Sequence, residues 1–216
     1  MTHLLHIDAS ARKTRSITRA LGAEFKKQWF TESTNKKFIY RDIGSTPPGF
    51  VSESWIAAAF TPEIDRTNEQ NLVLMESDLL IKELSWADVI VISTPMYNYG
   101  MPAALKAWVD QVVRVNKTFT FDLARGDFPL EPIFSGKTLI LLTSCGEFGF
   151  EMGEIRDGMN HLEPHLKTVS KYLGVNKTYE IRVEYQEFGD TRHEESIEKA
   201  YNAIPQIINE LSGELA

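Results

Sequence analysis

The sequence predicts an α/β domain built on a parallel sheet with helices on both faces. Short β-branched runs alternate five times with longer helical patterns, and two of those runs are almost continuously apolar. Such runs suit central strands covered on both sides, and the alternation implies right-handed crossovers. No internal repeat, low-complexity tract or linker interrupts the pattern, so residues 1–216 are read as one domain.

Leu4-Leu5-His6-Ile7 opens as a strand and stops at Asp8-Ala9-Ser10. Ser16 is placed to cap a helix running to about Phe30. Lys37–Tyr40 is a second short strand, and Gly44–Gly49 leads to a small helical insertion at Ser54–Phe60. Leu72, Met75 and Leu79 share one face of the next helix, with Leu80 and Leu84 beside it. Asp88–Ser93 and Thr138–Thr143 are the two central strands. Between them, Pro102 opens a helix extending to Val115, where its missing N–H costs nothing. A helix from Pro164 ends on Gly174, Thr178–Val183 alternates like an edge strand, and Glu194–Leu211 is a last helix with a bend expected at Pro205.

Lys and Arg total 23 against 30 Asp and Glu, a net charge of −7, which argues against a nonspecific nucleic-acid or anionic-membrane binder. No apolar run approaches the ~20 residues of a membrane span, and the first six residues do not read as a signal peptide. The single Cys145 excludes an intrachain disulfide framework and any multi-cysteine metal site. The expectation is a soluble, cytoplasmic, acidic protein that engages neither nucleic acid nor membrane.

Ligands of doubly wound sheets bind beyond the carboxyl ends of the strands, which directs attention to three loops. Ser10 to Thr18 brings three cations (Arg12, Lys13, Arg15) and four hydroxyls to a helix N-terminus, a setting suited to phosphate. It is not a Walker loop: the Gly-Lys-Thr at Gly136–Thr138 has Glu131 where the earlier glycine belongs, and Gly-x-Gly-x-x-Gly is missing. Pro95-Met96-Tyr97-Asn98-Tyr99-Gly100-Met101-Pro102 offers aromatic faces and an amide to a planar ligand, with Gly100 allowing close approach. Thr143-Ser144-Cys145-Gly146-Glu147-Phe148-Gly149-Phe150 is glycine-rich after a central strand and could meet a ligand edge, with Phe148 or Phe150 as a wall.

Other features point to structure rather than chemistry. Cys145 has no neighbouring His or Lys to activate a thiolate, so it reads as a small packing residue. His161 and His165 have helical spacing, but Pro164 lies between them and no His-Glu-x-x-His order is present; they read as surface or pocket residues, and no metal site is expected. Glu194, Glu195 and Glu198 form a solvated helix face. A Gly-x-Ser-x-Gly elbow is absent.

Taken together, Ser10 with Ser16-Ile17-Thr18, Pro95-Met96-Tyr97-Asn98-Tyr99 and Ser144-Cys145-Gly146-Glu147 resemble, in order and spacing, the FMN-dependent NADH azoreductases, which are flavodoxin-like NAD(P)H:quinone oxidoreductases. The resemblance extends through Lys106–Arg114 and Thr118-Phe119-Thr120-Phe121 and covers nearly the whole chain. It implies a flavodoxin-like fold whose five-stranded parallel sheet has the order 2-1-3-4-5. It also implies FMN as cofactor, NADH or NADPH as donor and a quinone or azo acceptor, served in a two-electron ping-pong sequence. By the same resemblance Ser10, Ser16, Ile17 and Thr18 would hold the FMN phosphate. Met96, Tyr97, Asn98 and Tyr99 would contact the ring and ribityl chain, and Ser144, Cys145, Gly146 and Glu147 would border the ring's other edge. Phe119, Phe121 and Phe148 would line a substrate pocket, with the active site at a homodimer interface. The flavin carries the chemistry, so no acid or base is assigned; Asn98 is the candidate for tuning the reduced ring. A flavodoxin-type electron carrier, binding FMN without substrate turnover, is the alternative.

Overall fold

The computed structural model describes residues 2–31 and 36–214. Strand β1 (Thr2–Asp8) leads through helix α1 (Ile17–Thr31) to β2 (Lys36–Asp42), then to α2 (Glu53–Phe60) and α3 (Asn68–Trp86). β3 (Val89–Pro95) and α4 (Ala103–Val112) follow, and a short antiparallel hairpin is formed by β4 (Phe119–Phe121) and β5 (Leu130–Pro132). β6 (Lys137–Ser144), α5 (Glu163–Ser170), β7 (Val175–Val183) and α6 (Thr191–Glu214) complete the chain. The five long strands pair in parallel in the order β2-β1-β3-β6-β7. Leaving out the hairpin, this is the succession 2-1-3-4-5; the hairpin itself is not foreseen in the sequence and accounts for the different strand numbers.

Successive side chains along a strand point to opposite faces, so the apolar runs of β1, β3 and β6 supply two cores at once. One face carries Leu5, Ile7, Ile90, Ile92, Leu139 and Leu141 against Leu80 and Leu84 of α3, Leu105 and Trp108 of α4, and Leu166 of α5. The other carries Leu4, Val89, Val91, Ile140 and Leu142 against Leu21, Phe25 and Trp29 of α1 and Ile204, Ile208 and Leu211 of α6. Among the described residues no helix is long and apolar enough to cross a membrane.

Several elements differ from their expected form. The Leu72–Met75–Leu79 stripe of α3 lies exposed, while Leu74, Leu80, Ile81 and Leu84 face inward, because α2 packs on the turn bearing Leu74. α4 stops at Val112, three residues early; the backbone N–H of Arg114 turns to the Thr118 hydroxyl, and its guanidinium reaches Ser77 of α3 (2.7 Å). The helix opened by Pro164 tightens into a 3₁₀ turn before Gly174, whose φ of +88° closes it. α6 begins at Thr191 and continues through Pro205, with its apolar face held against α1 and the sheet.

One close contact fixes α1 on the sheet. His6 is buried, with Nε2 2.8 Å from Ser93 Oγ, and burial pushes its pKa down to about 4, so the ring is neutral at neutral pH. Gly22 of α1 lies directly over this pair: a Cβ there would sit 2.5 Å from His6 Cε1 and 2.6 Å from Ser93 Oγ. Alanine favours a helix interior by about 1 kcal/mol over glycine, whereas overpacking a core costs about 1–3 kcal/mol. Gly22→Ala is therefore expected to lower stability by about 1 kcal/mol or more, read as a reduced urea midpoint with unchanged slope. A raised midpoint would show that α1 does not depend on this approach.

Candidate functional site

Strand register sets the site. Asp8 pairs with Ser93, Pro95 with Ser144, and Ser144 with Val183, so the chain leaves β1, β3, β6 and β7 at one edge of the sheet. A cleft of about 400 Å³ opens there, within the size range of small-molecule sites.

The first loop forms one end. Ser16 caps α1: its Oγ accepts the Arg19 N–H (3.3 Å) and donates to Ser10 Oγ (2.9 Å). The first-turn N–H groups of a helix have no intrahelical acceptor, and that end carries partial positive charge. Ser10, Ser16 and Ile17 border the cleft together with Arg12 and Arg15, whose charged groups pair with nothing among the described residues. Thr18 does not: it is fully buried, because it occupies the inward face of the first turn, and among the described residues its hydroxyl reaches only Ser16 Oγ (3.4 Å).

Arg19, which carries no motif in the sequence, holds this loop in shape. Its guanidinium donates to the carbonyl oxygens of Ser10 (2.7 Å) and Arg12 (2.8 Å), grips Asp42 through both oxygens (2.7 and 2.9 Å) and lies 3.3 Å from Asp8 Oδ2. The Arg19 hydrogen bonds hold the Asp42 carboxyl below its usual range, while burial, outweighing Arg19, pushes Asp8 up. Asp8 also receives the Ser10 N–H and the Tyr40 hydroxyl, and burial beside that carboxylate raises Tyr40 to about 12. Gly44 closes the arrangement from below, since a Cβ there would meet the Ser10 carbonyl oxygen at 2.1 Å.

The second loop is a tight hairpin. Tyr97 and Gly100 exchange both backbone hydrogen bonds (3.0 Å each), and Asn98 and Tyr99 between them have φ of +48° and +64°. Two consecutive left-handed residues make a type I′ turn, a conformation asparagine tolerates and tyrosine pays about 1–2 kcal/mol to adopt. Met96, Tyr97 and Asn98 border the cleft with Pro95. Tyr99 lies outside it; its hydroxyl donates to Glu147 Oε2 (2.9 Å), and Arg156 donates to Glu147 Oε1 (2.7 Å). Those two bonds hold the Glu147 carboxyl below its usual pKa and link the second loop to the third.

From the third loop Ser144, Cys145 and Gly146 reach the cleft, whereas Glu147 is taken up by Tyr99 and Arg156. Phe148 is not part of the cleft wall either: it stacks on Tyr185 (4.4 Å between centroids) beneath Arg156. Phe119 and Phe121 lie away from the cleft on β4, Phe119 against Tyr172 and Phe121 exposed. His161 is exposed, and its backbone N–H donates to the Tyr99 carbonyl (2.8 Å). Among the described residues no group of three or more His, Cys, Asp or Glu could hold a metal ion.

A fourth loop completes the site and has no mark in the sequence beyond following the edge strand. Gln186 and Glu187 border the cleft, with their N–H groups bonded to the carbonyls of Cys145 and Gly146. Tyr185, at φ +64°, turns the chain back to make this pairing. The cleft thus has a hydroxyl-rich, cationic end suited to phosphate. Its other end, bounded by Met96, Tyr97, an amide and backbone groups, suits a planar polar-edged ring.

Cys145 is buried, with Sγ directed to the carbonyl of Glu147 (3.3 Å), and burial pushes its thiol up to about 12. The thiolate needed for reaction is almost absent at neutral pH. Iodoacetamide at mildly alkaline pH is expected to leave the folded protein unmodified by mass spectrometry and to alkylate it fully in urea. Rapid labelling of the folded chain would contradict the buried placement.

Residues 2–208 match the family described as having a flavodoxin-like fold. An FMN-dependent NADH:quinone oxidoreductase 2 from Colwellia psychrerythraea is 59% identical, the match covering 98% of this chain and all of that one. An FMN-dependent NAD(P)H:quinone oxidoreductase 1 from Pseudomonas aeruginosa is 36% identical over 93% of this chain and 95% of its own. The fold is shared with an FMN-dependent NADH-azoreductase from Bacillus anthracis solved in complex with FMN (TM-score 0.84, 17% identity, covering 98% of this chain and 99% of that one).

Proposed function

The chain belongs to the family of FMN-dependent NADH:quinone oxidoreductases, on the flavodoxin-like fold, and we propose that it is itself an FMN-dependent NAD(P)H oxidoreductase acting on quinones and azo compounds. The observation that carries the reading is the cleft itself, bordered by Ser10, Ser16, Arg12 and Arg15 from the first loop and by Met96, Tyr97 and Asn98 from the second. The Ser10 and Ser16 hydroxyls, the first-turn N–H groups of α1 (Ile17 and Thr18 among them) and Arg12 and Arg15 would hold the phosphate. Met96, Tyr97 and Asn98, with Tyr99 behind them, would flank the ring and ribityl chain. Ser144, Cys145 and Gly146, with Glu147 fixing the loop, would border the opposite edge. FMN so held would supply the redox chemistry of a two-electron, ping-pong transfer from NADH or NADPH to the acceptor.

The chain's own part is to bind and orient. Arg19 keeps the phosphate loop formed by engaging two of its carbonyls. The type I′ turn holds the Asn98 amide forward, where a donor could stabilise charge developing on the ring. No side chain is required as acid or base, in keeping with a cleft whose one thiol is protonated. The reading treats residues 1–216 as one flavin-binding domain.

Absorbance titration with FMN and turnover of NADH with a soluble quinone test this. Ser16→Ala is expected to weaken FMN by about tenfold, the loss of a charge-assisted hydrogen bond. Thr18→Ala is expected to lower stability while leaving FMN affinity within about threefold, since its hydroxyl is buried. Equal FMN affinity in wild type and Ser16→Ala would remove the phosphate assignment. Tight FMN binding with negligible quinone turnover would favour the electron-carrier alternative.

The reading includes a homodimer with the active site at its interface. Two apolar surfaces support it: Ile56, Phe60, Leu72, Met75 and Leu79 on α2 and α3, and Phe121, Leu123, Phe128 and Leu130 on the hairpin, all exposed. Monomers seldom leave such clusters in water. Sedimentation velocity is expected to give twice the mass of one chain, and Leu72→Glu with Met75→Glu to give a single chain. A wild-type monomer at micromolar concentration would overturn the dimer.

A further inference from the structure

A second hollow, of about 610 Å³, adjoins the cleft and shares its Arg12, Arg15, Ile17 and Gln186 wall. Lys13 and Thr14 of the first loop and His193 of α6 border this hollow alone. No carboxylate lines it, although the chain has 30 acidic residues and 23 basic ones. Neighbouring arginines are matched to carboxylates: Arg19 to Asp42, Arg156 to Glu147 and Arg192 to Asp190, at 2.7, 2.7 and 2.6 Å. Arg12, Lys13 and Arg15 have no such partner among the described residues.

Three like charges within four residues repel one another, and the loop holding them is not free to spread. Its carbonyls are tied to Arg19, and Arg15 sits at a φ of +56°, a left-handed conformation that is strained for a non-glycine residue. His193 is also fixed, with Nδ1 2.9 Å from the Glu184 carbonyl oxygen. A phosphate monoester carries about −1.5 to −2 at neutral pH, and the first cleft already meets it with hydroxyls and a helix N-terminus. Three cations exceed what that one group neutralises, and two of them border both spaces.

We propose that the second hollow binds the phosphate groups of the dinucleotide electron donor, beside the FMN phosphate; the inference rests on the functional reading above. The donor's pyrophosphate brings two negative charges at neutral pH to Arg12, Lys13 and Arg15, and the hollow opens from the cleft wall so that the rest of the donor can reach across. Lys13 and His193 are then positions where donor affinity can change without touching the flavin site.

Calorimetric titration of FMN-saturated protein with ADP-ribose, the donor without its nicotinamide, tests this. One molecule is expected to bind per chain, more weakly as salt is raised. Lys13→Ala with His193→Ala is expected to lower that affinity by about fivefold or more, the loss of one charge-assisted contact, with FMN affinity within about twofold of wild type. Unchanged ADP-ribose affinity in the double variant would overturn the proposal. So would displacement of ADP-ribose by FMN, or inorganic phosphate binding as tightly as ADP-ribose. Should the protein fail to bind FMN, the functional reading falls separately, and titration of flavin-free protein with ADP-ribose still decides the hollow.

Discussion

The site depends on the in-register parallel pairing of β1, β3 and β6. Asp8 opposite Ser93 and Pro95 opposite Ser144 make the three chains leave the sheet together. A slip of one residue would exchange the two faces of a strand and set each core side chain against the wrong helices. The two cores prevent that, since each strand is apolar on both sides and each side meets a different set of helices. His6, Ser93 and Gly22 tighten the same level, bringing α1 down so that its N-terminus lies at the cleft.

Charge is divided with the same economy. Asp8 and Asp42 lie under the first loop, where uncompensated carboxylates would repel an anion. Arg19 answers both and ties two loop carbonyls, so it shapes the loop without standing in the cleft. Arg12, Lys13 and Arg15 are thereby left as net positive charge on a protein whose total is −7. On the other side Glu147 is matched by Arg156 and Tyr99, which join the second loop to the third.

The sheet and its three principal loops were legible because they depend on local pattern. Continuous apolar runs mark buried parallel strands, Ser16 marks a helix start, and ligand loops follow strand ends by topology. What escaped depends on partners distant in sequence. Thr18 shares a motif with Ser16, but two residues of helical rotation turn it inward. Tyr99 and Glu147 lie in separate loops and find each other only when those loops meet. Gln186 and Glu187 follow an edge strand in a segment without glycine until Gly189, and their place is set by Tyr185 turning back onto the third loop. The Leu72–Met75–Leu79 stripe has the spacing of a core face, and spacing alone does not say which apolar stripe a helix buries.

The burial of Cys145 has a chemical consequence for a protein proposed to handle quinones. Quinones are soft carbon electrophiles and alkylate thiolates by conjugate addition. The chain has one sulfhydryl, on the wall of the cleft such molecules would enter, and keeps it protonated and turned towards backbone carbonyls. A quinone entering the cleft would thereby find no thiolate to capture.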